Sequence, residues 1–529
     1  MQKYVAHVYP KGCYFNSLED IAGKKVTVMG LGLNGGGEAV VRFLLKHGAY
    51  VLVTDMKSAE DLAPTLESIA SDETLDKSRL TYVLGQHREE DFENADCVIK
   101  NPGVRFEGNK YLAKAKAVET DISIFLKLTK APIIAVTGSK GKSTTVSAIY
   151  YGLEKAGFKA FLGGNITVSP LTFLEETDGM TPVVLELSSW QLADLRGRDL
   201  LKPHISLITK IVPDHQNWYG NMLDYTDDKK LIYQAQTASN FSIFDYDYDF
   251  LSAGLNREGF NTGIVNWGNL FAEDSKATIL RYSRKEVEDE NYLGAWLDKD
   301  GKGYVRLPEN LMSKHTIERG ENKELVIDEL AVLGEHARLN ALNAALVLRL
   351  MGIAPESVKE IMSKWGGIEH RLEYFHEWLI PDAGKMRNWR RVEFYNDTCA
   401  TVPEATSAAI KSFDQDVFLI AGGTDKGLNF APLASTLINA ETRPAQIYLL
   451  DGTATEKLTD ILKQNGIKYT GPFASLHELL VMLKARLPQQ AKQSKTIVVF
   501  SPGATSFGMF KNEFDRGKQF KEEVKTMFF

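Results

Sequence analysis

The amino-acid sequence predicts an α/β protein of three domains, each a parallel sheet with helices on its faces. Three observations predict it. The chain has 529 residues, too many for one core at roughly 150 residues per domain. Two glycine-rich strand-to-helix turns, at 30 to 35 and at 137 to 145, open two separate alternations of strand and helix. A third alternation runs from about 369 to the end.

Composition agrees with a globular chain. Hydrophobic residues at 44% and charged residues at 25% sit near the averages for soluble proteins, which favours neither disorder nor a membrane class. A net charge of -7 argues against a nucleic-acid partner, which would call for a basic face. Three cysteines, Cys13, Cys97 and Cys399, make no disulfide framework and show no metal-ligand spacing, so a cytoplasmic location is expected. No signal core opens the chain, and no apolar run approaches the 20 or so residues of a membrane span.

In the first domain, residues 1 to about 130, a strand at 24 to 29 enters Gly30-Leu31-Gly32-Leu33-Asn34-Gly35. Ala39, Val40, Phe43, Leu44 and Leu45 then make one face of a helix ending near Gly48. A second strand, 49 to 54, ends in Asp55, about 20 residues past the last glycine, where dinucleotide folds place a ribose-binding acid. The domain is therefore expected to be Rossmann-like. Its fingerprint alone would suggest an NAD-dependent oxidoreductase, but no hydride-transfer constellation lies nearby, and a domain binding some other nucleotide, or none, fits slightly better. Strands follow at 80 to 84 and 97 to 99. The latter opens into Asn101-Pro102-Gly103, at the end of the sheet where α/β folds take ligands.

The middle domain, about 131 to 368, begins with the apolar run 132 to 136 and Thr137-Gly138-Ser139-Lys140-Gly141-Lys142-Ser143-Thr144-Thr145. Helical spacing follows at Val146, Ile149, Tyr150 and Leu153. Such a loop aims backbone N–H groups and the positive helix end at one point, where a polyphosphate can sit. Lys142 would reach the outer phosphates and Ser143 would ligate Mg²⁺. The common P-loop has a further glycine where this chain has Val136, so the loop is a shorter variant. A strand at 161 to 166 ends in glycines beside Asn165. A buried strand at 182 to 189 offers Glu186, placed to hold Mg²⁺ directly or through water, and Ser188. A strand at 204 to 211 delivers Pro213-Asp214-His215-Gln216. A helix at 225 to 233 carries Lys229 and Lys230, a pair that ordinarily marks a solvated face. From 252 to 330, short strands and loops are expected to decorate the domain. A helix from 334 to 351 follows, and Gly366-Gly367 makes a hinge.

The third domain, about 369 to 529, has expected strands at 392 to 395, 417 to 421, 446 to 450 and 496 to 500. Polar clusters at 396 to 401, 422 to 426 and 501 to 506 fall at carboxyl ends of these strands. Together they would face one cleft.

These residues resemble the Mur ligases, the ATP-dependent amino-acid-adding enzymes of peptidoglycan synthesis. The resemblance runs from about 23 to 520. It rests on the phosphate loop, Gly-Gly-Asn-Ile at 163 to 166, Glu-Leu-Ser-Ser-Trp-Gln-Leu at 186 to 192, and Asp-His at 214 and 215. Tyr225 with Lys229, His336 with Asn340, His370-Arg371, Asn396-Asp397, Lys426 and Phe510-Lys511-Asn512 complete it. It implies an acyl-phosphate ligase acting on UDP-N-acetylmuramoyl-L-alanine and D-glutamate, a monomer, whose first domain holds UDP and not NAD. Asn34, Asp55, Asn101 and Gly103 would hold the uridine and pyrophosphate; Asn165 and Ser188 would lie along the muramoyl tail. ATP would sit on Gly138, Ser139, Lys140, Gly141, Lys142, Ser143 and Thr144, closed in by Asn340, Arg371 and Asp397. Ser143 and Glu186 match ligands of one Mg²⁺, His215 and Lys229 those of a second, with Lys229 carried as a carbamate. Lys142, Glu186, His215 and Lys229 would be the catalytic set. Thr401, Lys426, Ser506 and Phe514 match the surroundings of D-glutamate. The chain departs from the pattern at Cys399, where many relatives have lysine, at Ala337 and Lys210-Ile211, where asparagine is usual, and by one extra residue before Phe514. A relative adding another amino acid or a folylpolyglutamate-synthase-like ligase, a dehydrogenase built on Gly30 to Gly35, and a P-loop ATPase that only switches or carries a partner are the competing readings.

Overall fold

The structure is a computed structural model. It describes residues 4–529 apart from 34, 167, 248–264, 333–334, 382–388, 414, 416, 426, 440, 442, 492 and 507. Asn34 and Lys426, both expected to touch substrates, thus lie outside the described residues.

Three sheets follow one another along the chain. The first has the spatial order Leu80–Leu84, Tyr50–Asp55, Lys25–Met29, Cys97–Lys100, Val118–Glu119, all parallel. Its central strands are mostly apolar and buried on both faces, as parallel sheets demand. The helix Gly36–Lys46 packs on it through Val40, Val41, Phe43, Leu44 and Leu45. Gly37 lets that helix close on the preceding turn, for a Cβ there would collide with the Leu31 carbonyl. The order of strands reverses between Lys25–Met29 and Cys97–Lys100, which makes their carboxyl ends the natural ligand crevice.

The second sheet runs Glu324–Ile327, Gly303–Arg306, Gly294–Leu297, Thr278–Ser283, Phe241–Asp245, Ile205–Ile208, Ile133–Thr137, Val183–Glu186, Phe161–Gly164. Pairing is parallel from Phe161–Gly164 through Gly294–Leu297 and antiparallel beyond. The tract expected to decorate this domain therefore extends its sheet instead: the strands from Thr278–Ser283 onward are hydrogen-bonded members of it, burying Leu280, Tyr282, Trp296 and Val305. The part of that tract at 252–264 lies outside the described residues. The third sheet has the order Glu373–Pro381, Trp389–Asn396, Lys495–Phe500, Val417–Gly422, Gln446–Leu450, Thr470–Phe473, antiparallel only in its first pair. Its two outer strands, Glu373–Pro381 and Thr470–Phe473, add to the four expected from the sequence.

The chain forms two compact units, Met1–Asp328 with Leu339–Met362 and Glu329–Arg338 with Ser363–Phe529. The first two sheets share one unit, and buried ion pairs join them. Lys100, at the end of a first-sheet strand, donates to Asp194 at 2.7 Å, and Arg198 donates to Glu119 at 2.9 Å, all four side chains nearly inaccessible. Arg198 also donates to the Val118 carbonyl. Residues 4 to 14 run across this junction: the Tyr9 N–H donates to the Arg196 carbonyl, the Gly12 N–H to the Arg198 carbonyl and the Tyr14 N–H to Glu119. Among the described residues, no helix is long and apolar enough to cross a membrane.

Candidate active site

The strand Ile133–Thr137 is buried throughout and lies between Ile205–Ile208 and Val183–Glu186. Three parallel strands thus deliver their carboxyl ends side by side: the phosphate loop, Glu186, and the segment leading to His215. The loop then turns into the helix Lys142–Lys155. Gly138 and Gly141 stand at φ +146° and +94°, where L side chains are strained. A Cβ on Gly138 would also collide with the Thr209 hydroxyl, and one on Gly141 would come within 2.5 Å of Asn340 Oδ1. Neighbours pin the loop in place. The N–H groups of Ser139 and Lys140 donate to the Lys210 carbonyl. The Ser139 hydroxyl donates to the Val212 carbonyl at 2.8 Å and is hydrogen-bonded to Tyr225 at 2.9 Å. Asn340, on the helix Glu335–Leu350, accepts from Thr145 and so stands against the loop.

Charge gathers around this loop. Lys142 Nζ donates to the Gly138 and Ser139 carbonyls, and Lys140 pairs with Asp214 at 3.1 Å. Glu186 is buried. Its Oε1 accepts from Asn165 at 2.9 Å, while its Oε2, equally inaccessible, has no hydrogen-bond partner among the described residues. A buried carboxylate oxygen without a donor is costly unless a cation meets it. His215 adopts φ +51° at the start of the helix Gln216–Tyr219, its ring 4.9 Å from Trp190 and 6.3 Å from Tyr225.

Lys229 overturns the expectation of a solvated face. On the helix Met222–Lys230, capped by Asn221, it is 1% exposed and donates to the Gly138 carbonyl at 3.0 Å. Lys230 is only half-buried and pairs with Asp274. The helix packs against the loop and therefore buries what composition alone would put in water. Burial, seconded by Lys142, drives the Lys229 amine well below the ordinary lysine range. Burial lowers Lys142 too, with Glu186 and Asp214 opposing. Burial likewise lowers His215, and Lys229, Lys142 and Lys140 add to it against Asp214. Lys140 and Lys142 bring positive charge to the loop beside Glu186 and Asp214, where the backbone N–H groups at the helix start also favour a polyanion.

In the first sheet, Asp55 lies under the glycine turn. Its Oδ2 accepts from the N–H groups of Leu31 and Gly32, and its Oδ1 from that of Lys57. Two N–H groups that a dinucleotide pyrophosphate would use are thus engaged by the protein's own carboxylate. Asn101 stands beside Gly30, and its Oδ1 accepts from the Gly103 N–H at 3.0 Å. Ser188 caps the helix Ser189–Ala193 in a reciprocal box with Gln191, so the strand expected through 189 ends at Glu186.

In the C-terminal unit the three polar clusters do meet at one edge of the sheet. Ser501 donates to Asp397 Oδ2 at 2.6 Å, the Gly503 N–H donates to the Ala400 carbonyl, and Thr424 and Thr505 form a backbone bridge. Asp397 also accepts from the Leu372 N–H, and burial raises its carboxyl to about 6, with these hydrogen bonds and Arg371 opposing. Arg371 is exposed and Thr401 half-buried. Ser506 lines a cavity of about 230 Å³ with Gly423, Gly452 and Arg516. Phe514 is half-exposed, its ring 5.8 Å from His370. Sequence reasoning passed over Thr209, whose signal is a small β-branched residue directly after an apolar strand. It also passed over Arg516, buried and bonded to the carbonyls of Thr398 and Ala504.

Profiles of known families match two stretches: the Mur ligase middle domain over residues 136–348, and the Mur ligase MurD-like N-terminal domain over 24–124. The chain is 38% identical over 566 residues to the UDP-N-acetylmuramoylalanine–D-glutamate ligase of Treponema pallidum, covering 96% of this chain and 98% of that one. The chain belongs to the Mur ligase family. The ligase of the same name from Borreliella afzelii is 39% identical over 517 residues, covering 96% and 99% of the two chains. That of a Roseiflexus species is 33% identical over 512 residues, with coverage of 96% and 99%. Within this Mur ligase, the residues from Gly138 to Asn340 fall inside the matched middle domain, and Asp55, Asn101 and Gly103 inside the matched N-terminal domain. Arg371, Asp397, Thr401, Ser506 and Phe514 lie beyond both.

Proposed function

We propose that this Mur ligase joins D-glutamate to UDP-N-acetylmuramoyl-L-alanine with hydrolysis of ATP to ADP and phosphate. The observation that carries the reading is similarity along 96% of the chain to relatives named for that reaction. In this reading residues 1–130 take the UDP part, 131–368 take ATP and 369–529 take the amino acid, in a monomer of the cytoplasm. The terminal carboxylate of the nucleotide attacks the γ-phosphorus and ADP leaves. The amine of D-glutamate then attacks the acyl carbon, phosphate departs, and the amine proton is lost to His215 or a neighbouring group. Lys142 counters the charge that builds on the γ-phosphoryl oxygens.

The buried, partnerless Oε2 of Glu186 fits a cation. We assign Ser143 and Glu186 to one Mg²⁺, and His215 and Lys229 to a second; these ions supply charge neutralisation at the phosphates. Among the described residues no three His, Cys, Asp or Glu side chains form a metal-binding group. Mg²⁺ uses few protein ligands and relies on phosphates and water. An ammonium at Lys229 would repel such an ion. Carbamylation, in which the neutral amine adds CO₂ and releases a proton, turns it into an anion, and the depressed basicity of this amine favours the addition. Asn34, Asp55, Asn101 and Gly103 are assigned to the uridine and pyrophosphate, Asn165 and Ser188 to the muramoyl tail, Asn340, Arg371 and Asp397 to ATP, and Thr401, Lys426, Ser506 and Phe514 to D-glutamate.

Phosphate release measured with UDP-N-acetylmuramoyl-L-alanine and a panel of D- and L-amino acids tests the reading. D-glutamate should give the fastest release; another amino acid in its place would reassign the acceptor, and release indifferent to both substrates would sink the ligase. Lys229→Ala should be nearly inactive and largely restored by formate or acetate. No restoration would remove the carbamate.

A further inference from the structure

Asp228, the neighbour of Lys229, is buried, and both its carboxylate oxygens are held by residues distant in sequence. Its Oδ2 accepts from the Tyr4 hydroxyl at 2.6 Å and its Oδ1 from Arg196 at 2.8 Å. Arg196 also donates to Asp227, one residue earlier on the same helix, and its carbonyl accepts the Tyr9 N–H. The strap of residues 4 to 14 thus reaches Arg196 twice, once through the backbone and once across Asp228. The Tyr4 ring packs 4.8 Å from Tyr219, which lies 5.3 Å from Tyr225, the ring beneath Lys229. Arg105, two residues past Gly103, covers Tyr4 and Trp218 and donates to the Trp218 carbonyl. The strap, the first-domain loop and the Lys229 helix therefore close on one another at Tyr4.

We propose that Tyr4 is a positioning residue for the ligase reaction: its hydroxyl, through Asp228, fixes the rotation and height of the helix end that presents Lys229 to the phosphate loop. The contacts of Tyr4 are with Asp228, Tyr219 and Arg105. Its removal would free a buried carboxylate to draw the helix end toward another donor, displacing Lys229 from the Gly138 carbonyl. The proposal rests on the ligase reading and on the place given there to Lys229.

Tyr4→Phe, which removes the hydroxyl alone, is expected to lower kcat about tenfold while the KM values for ATP, nucleotide and D-glutamate stay within about twofold. Lys11→Ala, which breaks an exposed ion pair of the same strap with Asp199, should leave kcat unchanged. Hydrogen exchange of the intact Tyr4→Phe protein should quicken at the amides of Met222–Lys230 and not at those of Asp121–Leu128. An unchanged kcat, or a loss matched by rising KM values, overturns the proposal. Unchanged exchange at Met222–Lys230 overturns it as well, and does so even where wild-type turnover has shown the ligase reading itself to fail.

Discussion

Asp397 sits almost wholly out of water, and its carboxyl is raised from 3.8 to about 6. The folded C-terminal unit therefore holds this proton more tightly than the unfolded chain does. The resulting stabilisation is complete below about pH 4 and is lost as pH rises through about 6, by roughly 3 kcal/mol. Urea unfolding followed across that range should give midpoints that fall with pH and then level off, and Asp397→Asn should flatten the profile. At the phosphate loop, Gly138→Ala would place a methyl group against Thr209 at a backbone angle that costs about 3 kcal/mol. Phosphate release should fall roughly a hundredfold, while titration with UDP-N-acetylmuramoyl-L-alanine, read calorimetrically, is unaffected. Much at this scale was legible beforehand. A glycine-bracketed loop after an apolar strand has few alternative uses, and Glu186 and Asp214-His215 stand at strand ends where ligands bind. Lys229 was not legible from composition, because its burial depends on which face of its helix meets the loop. Asp55 was legible as an acid at the right spacing, but spacing could not reveal that it reaches under the turn to bond Leu31 and Gly32.

The helix Glu335–Leu350 presents Asn340 to the phosphate loop, and it is anchored lower down by Arg349, whose guanidinium pairs with Glu324 through two hydrogen bonds, at 2.7 and 3.1 Å. Both side chains are buried. Glu324→Ala would strand the arginine charge at a cost of about 3–5 kcal/mol. The expected outcome is a lower melting temperature together with a raised KM for ATP. Glu324 belongs to the last strand of the central sheet, so the polar tract before residue 330 supports the nucleotide site from behind. Short strands were expected there, but not their membership of the central sheet, because outer antiparallel strands need hide only one face and can carry charge on the other. In the third sheet two strands were missed for local reasons. Glu373–Pro381 is half-exposed along most of its length and places aromatic residues on both faces, which erases alternation. Thr470–Phe473 contains Gly471-Pro472, a pair that ordinarily argues against a strand and is tolerated here at an edge. Most inner parallel strands were found to within a few residues at each end, since apolar runs bounded by glycine and polar turns read plainly. Phe241–Asp245, an inner strand of the second sheet, was passed over because Ser242 interrupts its short apolar run.

At the scale of the whole molecule, the chain divides into two compact units, and the three alternations of strand and helix expected from the sequence each form a sheet. Three sheets are present, but alternation within each sheet carries no information about which cores share an interface. Scanning calorimetry should resolve more than one unfolding transition, and UDP-N-acetylmuramoyl-L-alanine alone should raise only the one that reports the first two sheets. The buried pairs Lys100–Asp194 and Arg198–Glu119 set where the polypeptide tolerates division. A cut near residue 130 would leave four charged side chains in apolar surroundings without partners, two on each fragment. Fragments made there should aggregate even when mixed dilute. A fragment from 363 onward keeps the whole third sheet and should remain in solution. Anyone dissecting this enzyme into pieces, grafting its modules onto another ligase or inserting a reporter has a practical seam near residue 363.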